Sequence, residues 1–315
     1  MGRLFGVIVA VIAGLGLWAM LVAVGAREGW LRPMPAASGD TAGFLKWAES
    51  RYEAESRGNI AIVLLDNAQV AQTFFASHGR AVDNNSLFQV ASMSKWLTAW
   101  GVMTLVEQRR IDLDAPVSRY LTRWRLPPSE FGDDAVTIRR LLSHTAGLTD
   151  GLGFRGFGPG EHLPSIEQEL SHTVDVLPGS AGIVRVGAHP DSTWRYSGGG
   201  YLILQLLIEE VSGQSFNDYM RLAVFEPLGM TASTFVDPDP GQLADVFGPD
   251  GSPAVRYRFT ATGAASLYTS AADLTRFLQA QVGGPGGAPP GRGVLSPATL
   301  QSMRAPQAYL LFMPV

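Results

Sequence analysis

Ser92 and Lys95 are the residues of this 315-residue chain whose types and spacing point most directly to chemistry. They stand three positions apart, and on a helix such positions share a face, so both side chains would point into the same space. A desolvated lysine can lose its proton and act as a base, and a serine hydroxyl needs an adjacent base to become a good nucleophile. The chain has only two lysines among its 24 Lys and Arg residues, which favours a role at position 95 that arginine cannot fill. An ordinary helix start with a surface lysine would show the same spacing, so the pair needs partners.

A glycine-rich turn later in the chain offers such a partner. It reads Arg195-Tyr196-Ser197-Gly198-Gly199-Gly200-Tyr201 and precedes a long apolar segment. Glycines let a backbone approach another site closely, because they carry no side chain. A phenol can share a proton with a nearby lysine, whose charge favours the phenolate. The turn therefore predicts a Ser92–Lys95–Tyr196 proton-transfer group, and a helix N-terminal loop with a packing tyrosine is the alternative.

The composition excludes several classes of protein. A net charge of −4 and a pI near 5.7 give no electrostatic basis for binding nucleic acid. The absence of cysteine excludes disulfides, thiolate metal sites and a cysteine nucleophile. We predict no metal and no cofactor, because the five histidines are scattered without metal-ligand spacing: His78, His144, His162, His172 and His189.

Residues 4–26 form an uncharged apolar segment between Arg3 and Arg27. At about 1.5 Å per residue, a helix of this length spans a bilayer core of about 30 Å. We predict an uncleaved single-pass membrane anchor, with the rest of the chain on the extracytoplasmic side, because Arg3 favours the cytoplasm. A cleavable signal peptide ending near Ala26 is the alternative. Residues 27–40 are predicted as a linker, and residues 41–315 as the folded domain.

Apolar periodicity predicts the elements that must position the two motifs. Between 110 and 260 it predicts short helices joined by Gly- and Pro-rich loops. Longer elements are predicted as a helix over 41–55, a hairpin of strands 60–65 and 70–76, and helices over 96–108, 201–211 and 270–282.

Five segments, in this order, match the pattern of one known family. They are FQVASMSK (88–95), IDLDAPV (111–117), IRRLLSHTAGL (138–148), YSG (196–198) and FEPLGM (225–230). Together they resemble the class C β-lactamase and penicillin-binding-protein family, which includes esterases. The resemblance runs from residue 40 to residue 306, and it is specific for the family but nearly silent on the substrate.

The resemblance implies an α+β fold of the serine β-lactamase/transpeptidase type, with an antiparallel sheet, flanking helices and a helical lobe over residues 110–260. It implies Ser92 as the acylated nucleophile, Lys95 as its activating partner and Tyr196 as the general base. It also implies substrate binding by Ser197 and the residue that follows it.

Departures from the family pattern bear on function. Gly198 stands where the family commonly has an asparagine that contacts acylamide substrates, which disfavours efficient β-lactam hydrolysis and leaves esterase or peptidase activity open. No Lys/His-Thr/Ser-Gly triplet follows Tyr196, because Thr262-Gly263 is preceded by Ala261. We therefore expect this chain to lack the C-terminal strands of the family. The resemblance makes His144 structural rather than catalytic.

Together these features predict a serine hydrolase that acts through an acyl-enzyme on a β-lactam, a D-Ala-type cell-wall peptide or a carboxylic ester. The expected partners are a small-molecule or peptide substrate and the membrane, through the N-terminal helix. Two alternatives stay open: a membrane-anchored penicillin-recognising sensor with little turnover, and an inactive truncated fragment.

Overall fold

The computed structural model describes residues 14–25, 35–150, 154–176, 182–310 and 313–314. The chain divides into two compact units, residues 1–54 and residues 55–315. The candidate residues of both motifs lie in the second unit.

The described residues of the first unit lie mostly in two helices. Residues 14–25 belong to helix α1, and helix α2 is Thr41–Glu55, as the periodicity predicted. The rest of the predicted membrane segment, residues 4–13 and 26, lies outside the described residues. Across the described ranges, no helix is both long enough and apolar enough to cross a membrane. The membrane anchor therefore stays a prediction.

The second unit combines helices with short antiparallel strand pairs. Its described helices are α3 (Ser94–Glu107), α4 (Ile138–Leu142), α5 (Ile166–Ser171), α6 (Gly198–Ser212), α7 (Phe216–Met220), α8 (Thr262–Ala265), α9 (Ala271–Ala280) and α10 (Pro297–Arg304). Its described strands are β1 (Ile60–Asp66), β2 (Gln69–Ala76), β3 (Phe88–Gln89), β4 (Tyr268–Thr269), β5 (Tyr309–Leu310) and β6 (Met313–Pro314).

Helices α3 and α6 form the centre of the core. Both are apolar on nearly every side, which is typical of a helix buried all round. Leu97 and Trp100 of α3, and Leu204 and Leu207 of α6, have no exposed surface. The two helices pack against each other, and α8 packs against both. The start of α3 and the start of α6, which carry the two motifs, are therefore held by one core.

The sheet is smaller than the single flanked sheet that the sequence predicted. In the described residues, β1 pairs with β2, β3 with β4, and β5 with β6, and each pair is an antiparallel two-stranded ladder. The β1–β2 pair confirms the predicted hairpin, and α9 lies against β1. The β3–β4 pair has only two residues in each strand. Strands this short show no alternating apolar pattern by which the sequence could predict them.

The predicted helical region between residues 110 and 260 is confirmed. It consists of short helices around the long helix α6, joined by loops. Helix α6 begins at Gly198, three residues before its predicted start, because the Ser197 side chain caps it by accepting the Gly200 N–H.

Candidate active site

Ser92 lies in a tight turn between a strand and the central helix. Residues Ala91–Met93 form one 3₁₀ turn directly before α3, and the Ser92 side chain is exposed. Ala91 has a φ of +44°, in the left-handed region that non-glycine residues seldom adopt. A backbone held this way at a functional position is maintained by its surroundings. The turn presents the Ser92 hydroxyl outward at the mouth of the site.

Ser94 is part of those surroundings. Its side chain is fully buried, and its hydroxyl donates to the Ala91 carbonyl at 2.5 Å. The same oxygen accepts the Leu267 N–H at 2.9 Å. Through these two bonds, Ser94 ties the turn to the segment before β4.

Lys95 brings its amine to Ser92 from the first turn of α3. Nζ donates to Ser92 Oγ at 3.3 Å and to the Ala264 carbonyl at 2.9 Å. Lys95 is buried, and burial lowers the pKa of its ammonium, although the neighbouring Tyr196 and the charge of Asp150 act in the opposite direction. A lowered pKa increases the fraction of neutral amine, which is the form that can accept a proton.

Tyr196 completes the predicted group. Its hydroxyl donates to Ser92 Oγ at 3.0 Å, and Lys95 Nζ lies 4.9 Å from the centre of its ring. The structure therefore brings Ser92, Lys95 and Tyr196 together, with the serine oxygen in contact with both partners. This is the geometry a nucleophile needs from a base and a proton relay. The catalytic roles themselves stay predictions.

Asp150 is a member of the site that the sequence analysis missed. Its buried carboxylate accepts a hydrogen bond from Ser197 Oγ and another from the Gly199 N–H, both at 2.6 Å. Burial raises the pKa of Asp150, and the bonds from Ser197 and Gly199 oppose that rise. The sequence signal was a lone acid just after the 138–148 segment, with nothing to reveal its partners 47 and 49 residues away.

Ser197 and Gly198 were predicted to bind substrate, and the structure places them in the wall of the site. Ser197 is buried, and its hydroxyl is used by Asp150 and by the Gly200 N–H. That hydroxyl is therefore unavailable to a substrate, contrary to a side-chain role. Gly198 is buried at the first position of α6. Substrate contact through the backbone of these two residues stays a prediction.

His144 lies behind Tyr196. Its Nδ1 accepts the Ser197 N–H at 3.2 Å, and its ring centre is 4.6 Å from that of Tyr196. Burial, together with the charge of Lys95, lowers the pKa of His144 to about 4. A neutral ring that accepts a backbone hydrogen bond supports the Tyr196 turn, which agrees with the structural role expected from the sequence.

A large cavity lies beside the Ser–Lys–Tyr group rather than over Ser92. It measures about 950 Å³, and its wall includes His144, Trp194 and Tyr201. The Tyr201 ring also lies 5.6 Å from Lys95 Nζ, so these aromatic residues separate the cavity from the buried amine. Ser92 does not line it.

The fold and the Ser–Lys–Tyr geometry together define a protein of the serine β-lactamase and penicillin-binding type. A family model described as Beta-lactamase matches residues 46–310, and the chain belongs to that family.

Two curated relatives show the range of the family. Penicillin-binding protein 4* of Bacillus subtilis (strain 168) is 35% identical over 153 residues, which cover 48% of this chain and 31% of the relative. Esterase EstB of Burkholderia gladioli is 29% identical over 255 residues, which cover 66% of this chain and 60% of the relative. The chain therefore spans less than two thirds of the length of either relative.

The fold itself matches solved structures. The octameric penicillin-binding protein homologue from Pyrococcus abyssi superimposes with a TM-score of 0.69 and 21% identity, covering 87% of this chain and 62% of that one. At this identity the likeness establishes the architecture and leaves substrate and assembly open.

Proposed function

We propose that this protein is a serine hydrolase in which Ser92 is acylated and then released by water. The observation that carries the proposal is the contact of one exposed serine oxygen with both a buried lysine amine and a tyrosine hydroxyl. Membership of the family supports the reaction class. The choice of Ser92, Lys95 and Tyr196 as the reacting groups rests on their geometry.

The contacts supply two routes for the serine proton. A neutral Lys95 amine has two N–H groups and one lone pair, so it can keep its bond to the Ala264 carbonyl while the lone pair faces Ser92. The oxygen of Tyr196, 3.0 Å from Ser92 Oγ, is the second acceptor once its own proton has been passed on. Either route leaves the serine oxygen free to attack.

The reaction then follows the course of acyl transfer. Ser92 Oγ bonds to the substrate carbonyl carbon, the bond from that carbon to the leaving alcohol or amine breaks, and the proton taken from Ser92 goes to the leaving group. Water attacks the resulting ester in the second half, and its proton returns to Ser92 through the same partners. Backbone N–H donors aimed at the developing oxyanion are the usual source of stabilisation for such an intermediate.

We place carboxylic esters and peptide-type amides ahead of β-lactams as substrates. Gly198 offers no side-chain amide to an acylamide substrate, where the family pattern has asparagine. The relative from Burkholderia gladioli is named an esterase, which supports an ester substrate without fixing its acyl group.

A burst assay tests this proposal. Residues 27–315 are mixed with p-nitrophenyl acyl esters and, separately, with a fluorescent penicillin, and both product release and covalent label are followed. We expect a stoichiometric burst followed by turnover with esters, and slower turnover with the penicillin. A burst without turnover for every substrate would indicate a binding or sensor module, and no burst would contradict acylation.

We also propose that residues 4–26 hold the domain at the extracytoplasmic face of a membrane. The support is the uncharged apolar stretch between Arg3 and Arg27. The full-length protein should then stay with membranes through high-salt and alkaline washing, because apolar burial is not screened by salt. A mature N-terminus at Arg27, found by mass spectrometry, would instead indicate a cleaved signal peptide.

A further inference from the structure

Asp150 binds the residues on either side of Gly198, in the turn that carries Tyr196. One carboxylate oxygen accepts the Ser197 hydroxyl and the other accepts the Gly199 N–H, so the two contacts bracket Gly198. Ser197 Oγ also accepts the Gly200 N–H, which links the carboxylate to the first turn of α6. The position of the Tyr196 phenol therefore depends on one buried acid from another part of the chain.

The glycine at position 199 leaves room for the Asp150 carboxylate. A Cβ at position 199 would lie 2.9 Å from the carboxyl carbon of Asp150 and 2.5 Å from a methyl group of Val184. Real side chains do not approach so closely, so only glycine allows the Gly199 N–H to reach the carboxylate. Position 199 thus has a steric reason to be glycine that does not depend on its place in α6.

The charge of Asp150 acts in the same cluster as Lys95. The groups that face the amine are Ser92 on its own turn, the Ala264 carbonyl of α8, and the rings of Tyr196 and Tyr201. From the segment after α4, Asp150 acts on this amine electrostatically, and the charge of Lys95 in turn acts on His144. Burial lowers the pKa of Lys95, while Asp150 favours its charged form. The N-terminus of α6, where Asp150 binds, is itself favourable for a carboxylate.

We propose that Asp150 is a positioning residue of the acylation site, fixing the Tyr196 turn through Ser197 and Gly199 and acting with its negative charge on the neighbouring Lys95. The proposal rests on the function proposed above. It predicts that removing the Asp150 charge changes the pKa of Lys95. Removing only the Ser197 hydrogen bond should leave that pKa unchanged.

The chain offers a direct test because it has two lysines, Lys46 and Lys95. Lysine labelled with ¹⁵N gives two side-chain signals, which Lys46→Arg assigns, and each is titrated by NMR in the unmodified protein, in Asp150→Asn and in Ser197→Ala. We expect Asp150→Asn to lower the pKa of Lys95, because an opposite charge has been removed. Ser197→Ala should leave the pKa of Lys95 unchanged, and the Lys46 signal serves as the internal reference. An unmoved Lys95 in Asp150→Asn, or an equal shift in Ser197→Ala, would overturn the proposal.

Two further measurements cover the case in which Asp150→Asn fails to fold. The Lys95 signal of the unmodified protein should show a second, smaller step at acid pH as Asp150 takes up its proton, and a single-step curve would overturn the proposal. Asp150→Glu keeps the charge, so Lys95 should titrate as in the unmodified protein while burst acylation slows at least tenfold. A shifted Lys95 or an unchanged burst rate in this variant would count against it.

The titration needs no substrate, so this inference and the proposed function fail separately. A protein that is never acylated contradicts the function, whereas only the lysine titration decides the role of the Asp150 charge.

Discussion

The Tyr196 hydroxyl donates a hydrogen bond of 3.0 Å to Ser92 Oγ, although 104 positions separate the two residues in the chain. The contact exists because the start of α3 and the start of α6 are packed into one core. It joins an exposed serine oxygen to a phenol whose ring also lies 4.9 Å from the buried amine of Lys95. The chemistry proposed for the protein depends on this contact between Tyr196 and Ser92.

Replacing Tyr196 tests that dependence. Tyr196→Phe removes the hydroxyl that contacts Ser92 and should slow acylation by about 10²–10⁴-fold, the usual contribution of a positioned proton-transfer group. The matched control is Tyr201→Phe, whose lost hydroxyl donates to the Leu142 carbonyl instead. The control should keep acylation within a few-fold in single-turnover labelling. Equal rates in the two variants would show that the Tyr196 hydroxyl has no special role.

Ser94→Ala should destabilise the protein without removing the nucleophile. The change leaves the Leu267 N–H and the Ala91 carbonyl without their buried partner, which costs about 1–3 kcal/mol of unfolding free energy. Urea unfolding measures the loss, and covalent labelling of Ser92 in the folded fraction should continue. Ser118→Ala, on an exposed turn, should change stability by less than about 0.5 kcal/mol. A Ser94 variant as stable as this control would contradict the support role of Ser94.

The buried His144 should make the protein acid-sensitive. Its folded pKa of about 4 lies below the unfolded value of 6.5, so the unfolded chain binds the proton more readily between these pH values. The stabilisation is complete above pH 6.5 and is lost as the pH falls towards 4, by up to about 3 kcal/mol. His144→Asn does not titrate and tolerates the positive φ of +60° at this position. The variant should lose less stability than the unmodified protein between pH 7 and 4.5, and parallel curves would contradict the prediction.

Glu169 should act in the opposite direction. It is fully buried next to Asp175, and neither of its carboxyl oxygens makes a hydrogen bond of ordinary length within the described residues. Burial raises the pKa of Glu169, and so does the neighbouring Asp175, because a second negative charge nearby disfavours the carboxylate. A raised folded pKa gives stability that is full below the unfolded value and is lost as the pH rises.

Glu169→Gln should therefore flatten the loss of melting temperature between pH 5 and 9. The control is Glu167→Gln on the same helix, whose carboxylate pairs with Arg123 at the surface. If the control flattens the curve as much as Glu169→Gln does, the buried pair is not the cause.

Sequence patterns predicted the elements and the Ser92–Lys95–Tyr196 group better than their support. The hairpin and the helices that carry the motifs follow from apolar periodicity. The spacing of Ser92 and Lys95 indicated their contact, although Ser92 lies in the 3₁₀ turn before α3. Asp150 could not be predicted, because its bonds to Ser197 and Gly199 are long-range and no periodicity links them.

The sequence also did not reveal that two serines are buried. Ser94 and Ser197 look alike as polar residues beside a motif, yet each fills its hydrogen bonds internally. Only the packing of α3 against α8 and of the Tyr196 turn against Asp150 reveals this. The two-residue strands β3 and β4, which flank the nucleophile turn and its support, are too short to give a pattern.

The central claim is that Ser92 is the residue acylated by substrate. The most direct measurement is mass spectrometry of the protein after brief incubation with a p-nitrophenyl ester or a penicillin, followed by proteolysis and mapping of the added mass. We predict one acyl group per chain, on the peptide that contains Ser92, lost completely in Ser92→Ala and retained in Ser118→Ala. Equal labelling of the unmodified protein and Ser92→Ala, or an acyl group mapped to another residue, would contradict the account.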